Sequence, residues 1–105
     1  MKIKTIDIQA KEWFDKTGGN SYFSGRVILN YGTKTEKVLL MPFQYGYNEH
    51  YLTVASDLLD SVLPDQKDLL FELRRLQHTK QNKIILRYNM QKNCLLRDVK
   101  NFAKV

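Results

Sequence analysis

The tetrapeptide Thr17-Gly18-Gly19-Asn20 separates two long strand-like segments, and no other feature restricts the chain as much. Glycine accepts a positive φ without steric cost and asparagine tolerates it, so the tetrapeptide reads as a tight turn. Before it, residues 2–14 carry the β-branched residues Ile3, Thr5, Ile6 and Ile8, with Ile6, Ile8 and Ala10 alternating with polar neighbours. That alternation marks a half-buried strand. After the turn, residues 21–31 place Phe23, Val27, Leu29 and Tyr31 on one face and Tyr22, Ser24, Arg26 and Asn30 on the other. Two such segments around a glycine turn predict a long antiparallel hairpin.

Gly32-Thr33-Lys34-Thr35 predicts a second turn, followed by Lys37-Val38-Leu39-Leu40-Met41. A nearly continuous apolar run is expected of a strand covered on both faces, hence central in its sheet. Pro42 lacks a backbone donor and is expected to close that strand's ladder. Asn48 then reads as a helix N-cap. Tyr51, Val54, Ala55, Leu58, Leu59 and Val62 recur at helical spacing, with Thr53, Ser56, Asp57 and Asp60 opposite. Pro64 fits the first turn of a second helix. Leu69, Leu70, Leu73 and Leu76 form that helix's apolar stripe, and Phe71 falls on its charged side near Lys67, Arg74 and Arg75.

Residues 78–82 form a polar break, and residues 83–88 predict another strand. In the last segment Leu95, Leu96, Val99 and Phe102 suit a short helix capped by Asn93. The alternative reading turns the chain at Gln91-Lys92-Asn93 and makes residues 94–99 a fifth strand. The expected fold is α+β: one domain spanning 1–105, with elements in β-β-β-α-α-β order. Its sheet is expected to be antiparallel, with three to five strands and two helices packed on one face.

Composition narrows the classes of function. A chain of 105 residues fits one domain with one core. No apolar stretch reaches the roughly 18–20 residues that span a bilayer, and the first residues lack a signal-peptide apolar region. With a single cysteine, Cys94, the default expectation is the cytosol and no contact with membrane. The net charge of +6 is unevenly distributed. Residues 1–47 carry seven basic and four acidic side chains, residues 48–73 one and six, and residues 74–105 nine and one. A basic C-terminal third is expected either to contact nucleic acid or to neutralise the acidic middle.

The aromatic residues give the second handle. Trp13 and Phe14 lie across the first turn from Tyr22 and Phe23, and Phe43-Gln44-Tyr45-Gly46-Tyr47-Asn48-Glu49-His50-Tyr51 crowds rings around one glycine. Rings beside Lys11, Lys16 and Arg26 suit stacking on bases with phosphate contacts alongside. Trp13, Phe14, Phe23 and Phe43 are expected in the core, while Tyr22, Tyr45 and Tyr47 suit a partly wet surface. No phosphate-loop or dinucleotide fingerprint occurs. The potential soft metal ligands His50, His78 and Cys94 have no paired spacing, so neither metal nor cofactor is expected. No catalytic constellation is present, and the expectation is a non-enzymatic protein.

The segments Lys11-Glu12-Trp13-Phe14-Asp15-Lys16, Gly19-Asn20-Ser21-Tyr22-Phe23 and Pro42-Phe43-Gln44-Tyr45-Gly46-Tyr47 together resemble a group of small uncharacterised bacteriophage and prophage proteins. The likeness spans roughly residues 6–60 and carries no activity or site residues. It implies an accessory protein acting by binding in the cytoplasm of a bacterial host. Two kinds of macromolecular partner follow. For nucleic acid, the candidate phosphate contacts are Arg74, Arg75, Lys80, Lys83, Arg87, Lys92, Arg97 and Lys100, with Tyr22, Tyr45 and Tyr47 stacking on bases. For a host or phage protein, such as a defence complex to be inhibited, the candidate anchors are Phe71, Tyr45 and Tyr47. A small ligand or nucleotide under the 43–51 loop is the third reading. The oligomeric state is left open.

Overall fold

The computed structural model describes residues 3–66, 68–76 and 84–102. The hairpin forms as its turn predicts. Strands β1 (Thr5–Asp15) and β2 (Asn20–Leu29) pair antiparallel from Ile6↔Leu29 to Asp15↔Asn20. Gly19 takes the positive φ of 72°, and its amide donates to the Asp15 carbonyl at 2.7 Å. Strand β3 (Lys37–Tyr45) adds antiparallel to β2. Helices α1 (His50–Val62) and α2 (Leu69–Leu76) follow, then strand β4 (Ile85–Gln91) and helix α3 (Leu96–Phe102). The class is α+β, and the predicted β-β-β-α-α-β order holds.

The sheet order is β3-β2-β1-β4, and β4 runs parallel to β1. The sheet is therefore mixed, not the antiparallel sheet expected. Two consecutive helices return the chain so that β4 starts at the same end as β1, which no hairpin turn can do.

Strand β3 is an edge strand, contrary to its apolar sequence. Leu39 and Met41 join the core, but Val38 is 45% exposed on the other face. The central positions go to β2 and β1, whose apolar residues alternate. Nor does Pro42 end the ladder. The register shifts between Phe23↔Gln44 and Gly25↔Met41, leaving Pro42 and Phe43 opposite the single residue Ser24. That is a bulge on an edge strand, where a missing donor costs little.

The core lies on one face of the sheet. Ile6, Ile8 and Ala10 meet Phe23, Val27, Leu29, Met41 and Leu86, covered by Tyr51, Leu52, Ala55 and Leu59 of α1 and Leu70 and Leu73 of α2. Burial of a side chain such as Phe23 contributes about 1.5–3 kcal/mol. Helix α1 is turned slightly from its expected face: Leu52 and Ser56 are buried, while Val54 and Leu58 are only partly so. Its N-cap is Glu49, and Asn48 instead takes a left-handed φ of 53° in the preceding turn. Pro64 lies between the helices rather than in the first turn of α2.

Helix α3 settles the ambiguous last segment within the described residues, and it packs on the second face. The Ser24 hydroxyl donates to the Val99 carbonyl, and Ser24 pairs with Lys11, opposite in parity to Ile8 and Ala10. Val99 is fully buried there, apart from the main core. The layers are thus helices, sheet and a short helix, not two. The polar break at 78–82 lies outside the described residues.

Glu12 sits on the core face beside Phe23, 8% exposed, and its Oε2 has no hydrogen-bond partner among the described residues. A buried unpaired oxygen carries a desolvation cost. Glu12→Met removes that cost at similar volume and is expected to raise stability by about 1 kcal/mol, or roughly 4–8 °C in Tm. Thermal unfolding followed by circular dichroism reads this directly. A lower Tm would mean that the carboxylate supports the fold.

Candidate nucleic-acid interface

The β1–β2 register sets the centre of the site. Trp13 pairs with Tyr22, and both point away from the core. Tyr22 pairs in turn with Tyr45 at the end of β3. The bulge at Pro42-Phe43 swings the Phe43 ring onto the same face, where it stacks on Tyr22 at 5.4 Å and 7°. Trp13 stacks on the Tyr22 ring with centroids 5.7 Å apart. Tyr45 meets Tyr22 edge-on at 5.9 Å, and Tyr47 meets Tyr45 edge-on at 6.4 Å. Five rings thus form one strip across three strands. Tyr22 is locked in its middle, while Tyr45 and Tyr47 are 55% and 57% exposed.

The strip continues into the chain before α1. Gly46 is buried there, and the position takes only glycine because a Cβ would lie 2.6 Å from both the Phe23 ring and the His50 ring. Tyr45, Gly46, Tyr47 and His50 line a shallow cavity of about 280 Å³.

One cation sits on the strip and two more on the Phe102 ring of α3. Lys100 Nζ lies 5.7 Å from the Phe43 ring centre. Lys11 Nζ and the Arg26 guanidinium lie 4.7 Å and 4.6 Å from the Phe102 ring centre. Arg26 Nε also donates to the Phe102 carbonyl at 3.0 Å, which ties the end of α3 to β2. These contacts hold three positive charges on one face of the sheet, over the half-buried rings of Phe43 and Phe102. Rings offer π-faces to bases, and the cations offer charge to the phosphates between them.

No known protein family, curated protein or solved structure matches the chain. The site therefore rests on its own geometry.

The predicted site residues separate into groups. Tyr22, Tyr45 and Tyr47 come together in the strip, with Lys100 beside it. Lys92 and Arg97 are exposed on the connection to α3 and on α3, with Arg97 4.0 Å from Asp98. Arg74 and Arg75 lie on α2, which covers the core face, so they do not share a surface with the strip. Arg75 pairs with Glu72 at 2.7 Å and Arg74 with Glu49 at 3.3 Å. Arg74 also lies 5.3 Å from the Tyr88 ring centre. Burial lowers its pKa, but Tyr88 and Glu49 outweigh that and hold it above the ordinary arginine value. Arg87 donates to both carboxylate oxygens of Asp7, at 2.6 and 3.1 Å. Among the described cations of the basic C-terminal third, Arg74 and Arg75 therefore pair with the acidic middle, Arg87 with Asp7 and Arg97 with Asp98. Phe71 is 44% exposed on α2. Lys80 and Lys83 lie outside the described residues, as does His78.

Trp13 and Phe43, expected in the core, lie on the second face instead, and Phe102, expected only as part of the α3 stripe, receives two cations there. Phe14 was also assigned to the core and is 46% exposed. Only Phe23 of that group is fully buried. For Trp13 the signal was present in its odd parity, shared with Gln9 and Lys11. For Phe43 it was not, because the bulge changes which face the residue occupies.

Proposed function

We propose that this is a non-enzymatic accessory protein of phage type that binds single-stranded nucleic acid on the second face of its sheet. The observation that carries the reading is the continuous strip of Trp13, Tyr22, Phe43, Tyr45 and Tyr47, with Lys100 over Phe43 and Lys11 and Arg26 gathered at Phe102 on the same sheet face. Tyr45 and Tyr47 stack on bases, Tyr22 supports them from behind, and the cations meet phosphates. Stacking on rings needs unpaired bases, so single strands are preferred over duplex.

The test is fluorescence anisotropy with labelled single-stranded DNA, duplex DNA and RNA from about 50 to 200 mM salt, a range in which phosphate-driven affinity falls steeply. Three neutralised phosphates on a single strand give a log–log slope of about −2. Absence of binding to every probe at the lowest salt would overturn the proposal.

The exposed ring of Phe71 supports a second reading, a contact for a host or phage protein on the α2 side. Phe71→Ala separates the two. It leaves nucleic-acid affinity unchanged in the first reading and abolishes partner binding in the second.

A further inference from the structure

The same sheet face holds a second groove, on the far side of α3 from the ring strip. It has a volume of about 380 Å³ and runs along β1 and β4, with the Phe102 ring as one wall. The parallel register aligns Asp7 with Arg87, Gln9 with Asn89 and Lys11 with Gln91. Three carboxamides, Gln9, Asn89 and Gln91, are thereby placed on one face, all exposed. Among the described residues no side chain is hydrogen-bonded to them, whereas Asp7 and Arg87 are committed to each other through two hydrogen bonds.

A carboxamide offers one acceptor and two donors in a planar fork. That fork matches the N6 donor and N7 acceptor of adenine, and unpaired bases expose such edges for readout. The groove adjoins the cations gathered at Phe102, since Lys11 and Phe102 line it and Arg26 lies over the same ring. We infer that this groove is a base-reading subsite, in which Gln9, Asn89 and Gln91 hydrogen-bond to the edge of an unstacked base, with adenine favoured. The inference rests on the proposed single-strand function and adds sequence selectivity to it. The ring strip supplies affinity for any base, and the carboxamide groove discriminates among them.

The experiment compares wild type, a Gln9→Ala/Asn89→Ala/Gln91→Ala variant and a Tyr45→Ala/Tyr47→Ala variant on oligo-dA, oligo-dC and oligo-dT of equal length, with the corresponding RNAs in parallel. Circular dichroism first confirms that each variant is folded. Wild type is expected to prefer adenine by roughly tenfold, the discrimination typical of one good bidentate contact. The groove variant loses the preference while keeping its affinity for oligo-dC and oligo-dT within about twofold. The ring variant loses affinity for all three and keeps the preference. In addition, oligo-dA shifts the side-chain amide resonances of Gln9, Asn89 and Gln91 in the wild-type nuclear magnetic resonance spectrum. Binding without a base preference, or a preference that survives the groove variant, overturns the inference and leaves the single-strand reading intact. No binding to any oligonucleotide overturns both.

Discussion

The double variant Tyr45→Ala/Tyr47→Ala is expected to lose at least about thirtyfold in affinity for single strands while remaining folded. Base–ring stacking is worth about 1–3 kcal/mol per base, and two rings are removed. Both side chains are more than half exposed, so little core packing goes with them. Tyr45 also loses its edge-on contact with Tyr22 at the end of the β2–β3 ladder. Such cross-strand pairs contribute roughly 0.2–1 kcal/mol, so Tm falls by only a few degrees. Anisotropy titrations at fixed salt measure the affinity, and a thermal melt checks the fold. Affinity within a factor of two of wild type would remove the rings from the site and move attention to Phe71. Tyr22→Ala is the less informative change, because Tyr22 is packed between Trp13 and Phe43 and its loss would disorder the strip itself.

The largest effect on stability is expected from Gly25→Ala. Gly25 sits in β2 opposite Ala10, on the core face. A Cβ there would lie 2.5 Å from the Gln9 carbonyl oxygen, 2.6 Å from Met41 Cε and 3.2 Å from Ala10 Cα. The methionine tip can turn aside. The Gln9 oxygen is backbone of a central strand and can yield only if β1 and β2 part. Overpacking costs about 1–3 kcal/mol when side chains alone must adjust, and this site belongs at or above the upper end. A loss of about 3 kcal/mol is a large part of the 5–15 kcal/mol typical of a domain. Urea unfolding would show it as a lower midpoint with an unchanged slope. A midpoint close to wild type would mean that the two strands separate there at little cost.

The expected gain at Glu12 and loss at Gly25 concern the core face, whereas the nucleic-acid tests concern the second face. Combining Glu12→Met with the ring variant therefore allows binding to be measured in a more stable background.

Local features of the chain were legible where they depend on neighbours in sequence. The Thr17–Asn20 turn required positive φ, and Gly19 has it. The period-two pattern of Ile6, Ile8 and Ala10 named the core face of β1, and Phe23, Val27 and Leu29 named that of β2. Leu70 and Leu73 marked the buried stripe of α2, with Phe71 outside it. The α+β class follows from these elements in order, because a one-sided apolar sheet and amphipathic helices must cover each other.

What depended on partners distant in sequence was not legible. The run Lys37–Met41 is apolar on both sides, yet whether a strand is central depends on where the next strand docks. Strand β4 took the free edge of β1 and left β3 at the rim. The bulge that brings Phe43 beside Tyr22 arises from pairing across strands, which shifts parity without any mark in the local pattern. The arginines of the basic third looked like free phosphate contacts. Arg87 is held by Asp7, 80 positions away, and Arg74 by Glu49. The sequence by itself determined the turns, the core faces of β1, β2 and α2 and the distribution of charge, because these arise from steric and hydropathic preferences over a few residues. Tertiary structure alone decided which strand is central, which charges remain free and which rings share a surface, because those outcomes depend on strand docking and register between segments far apart in the chain.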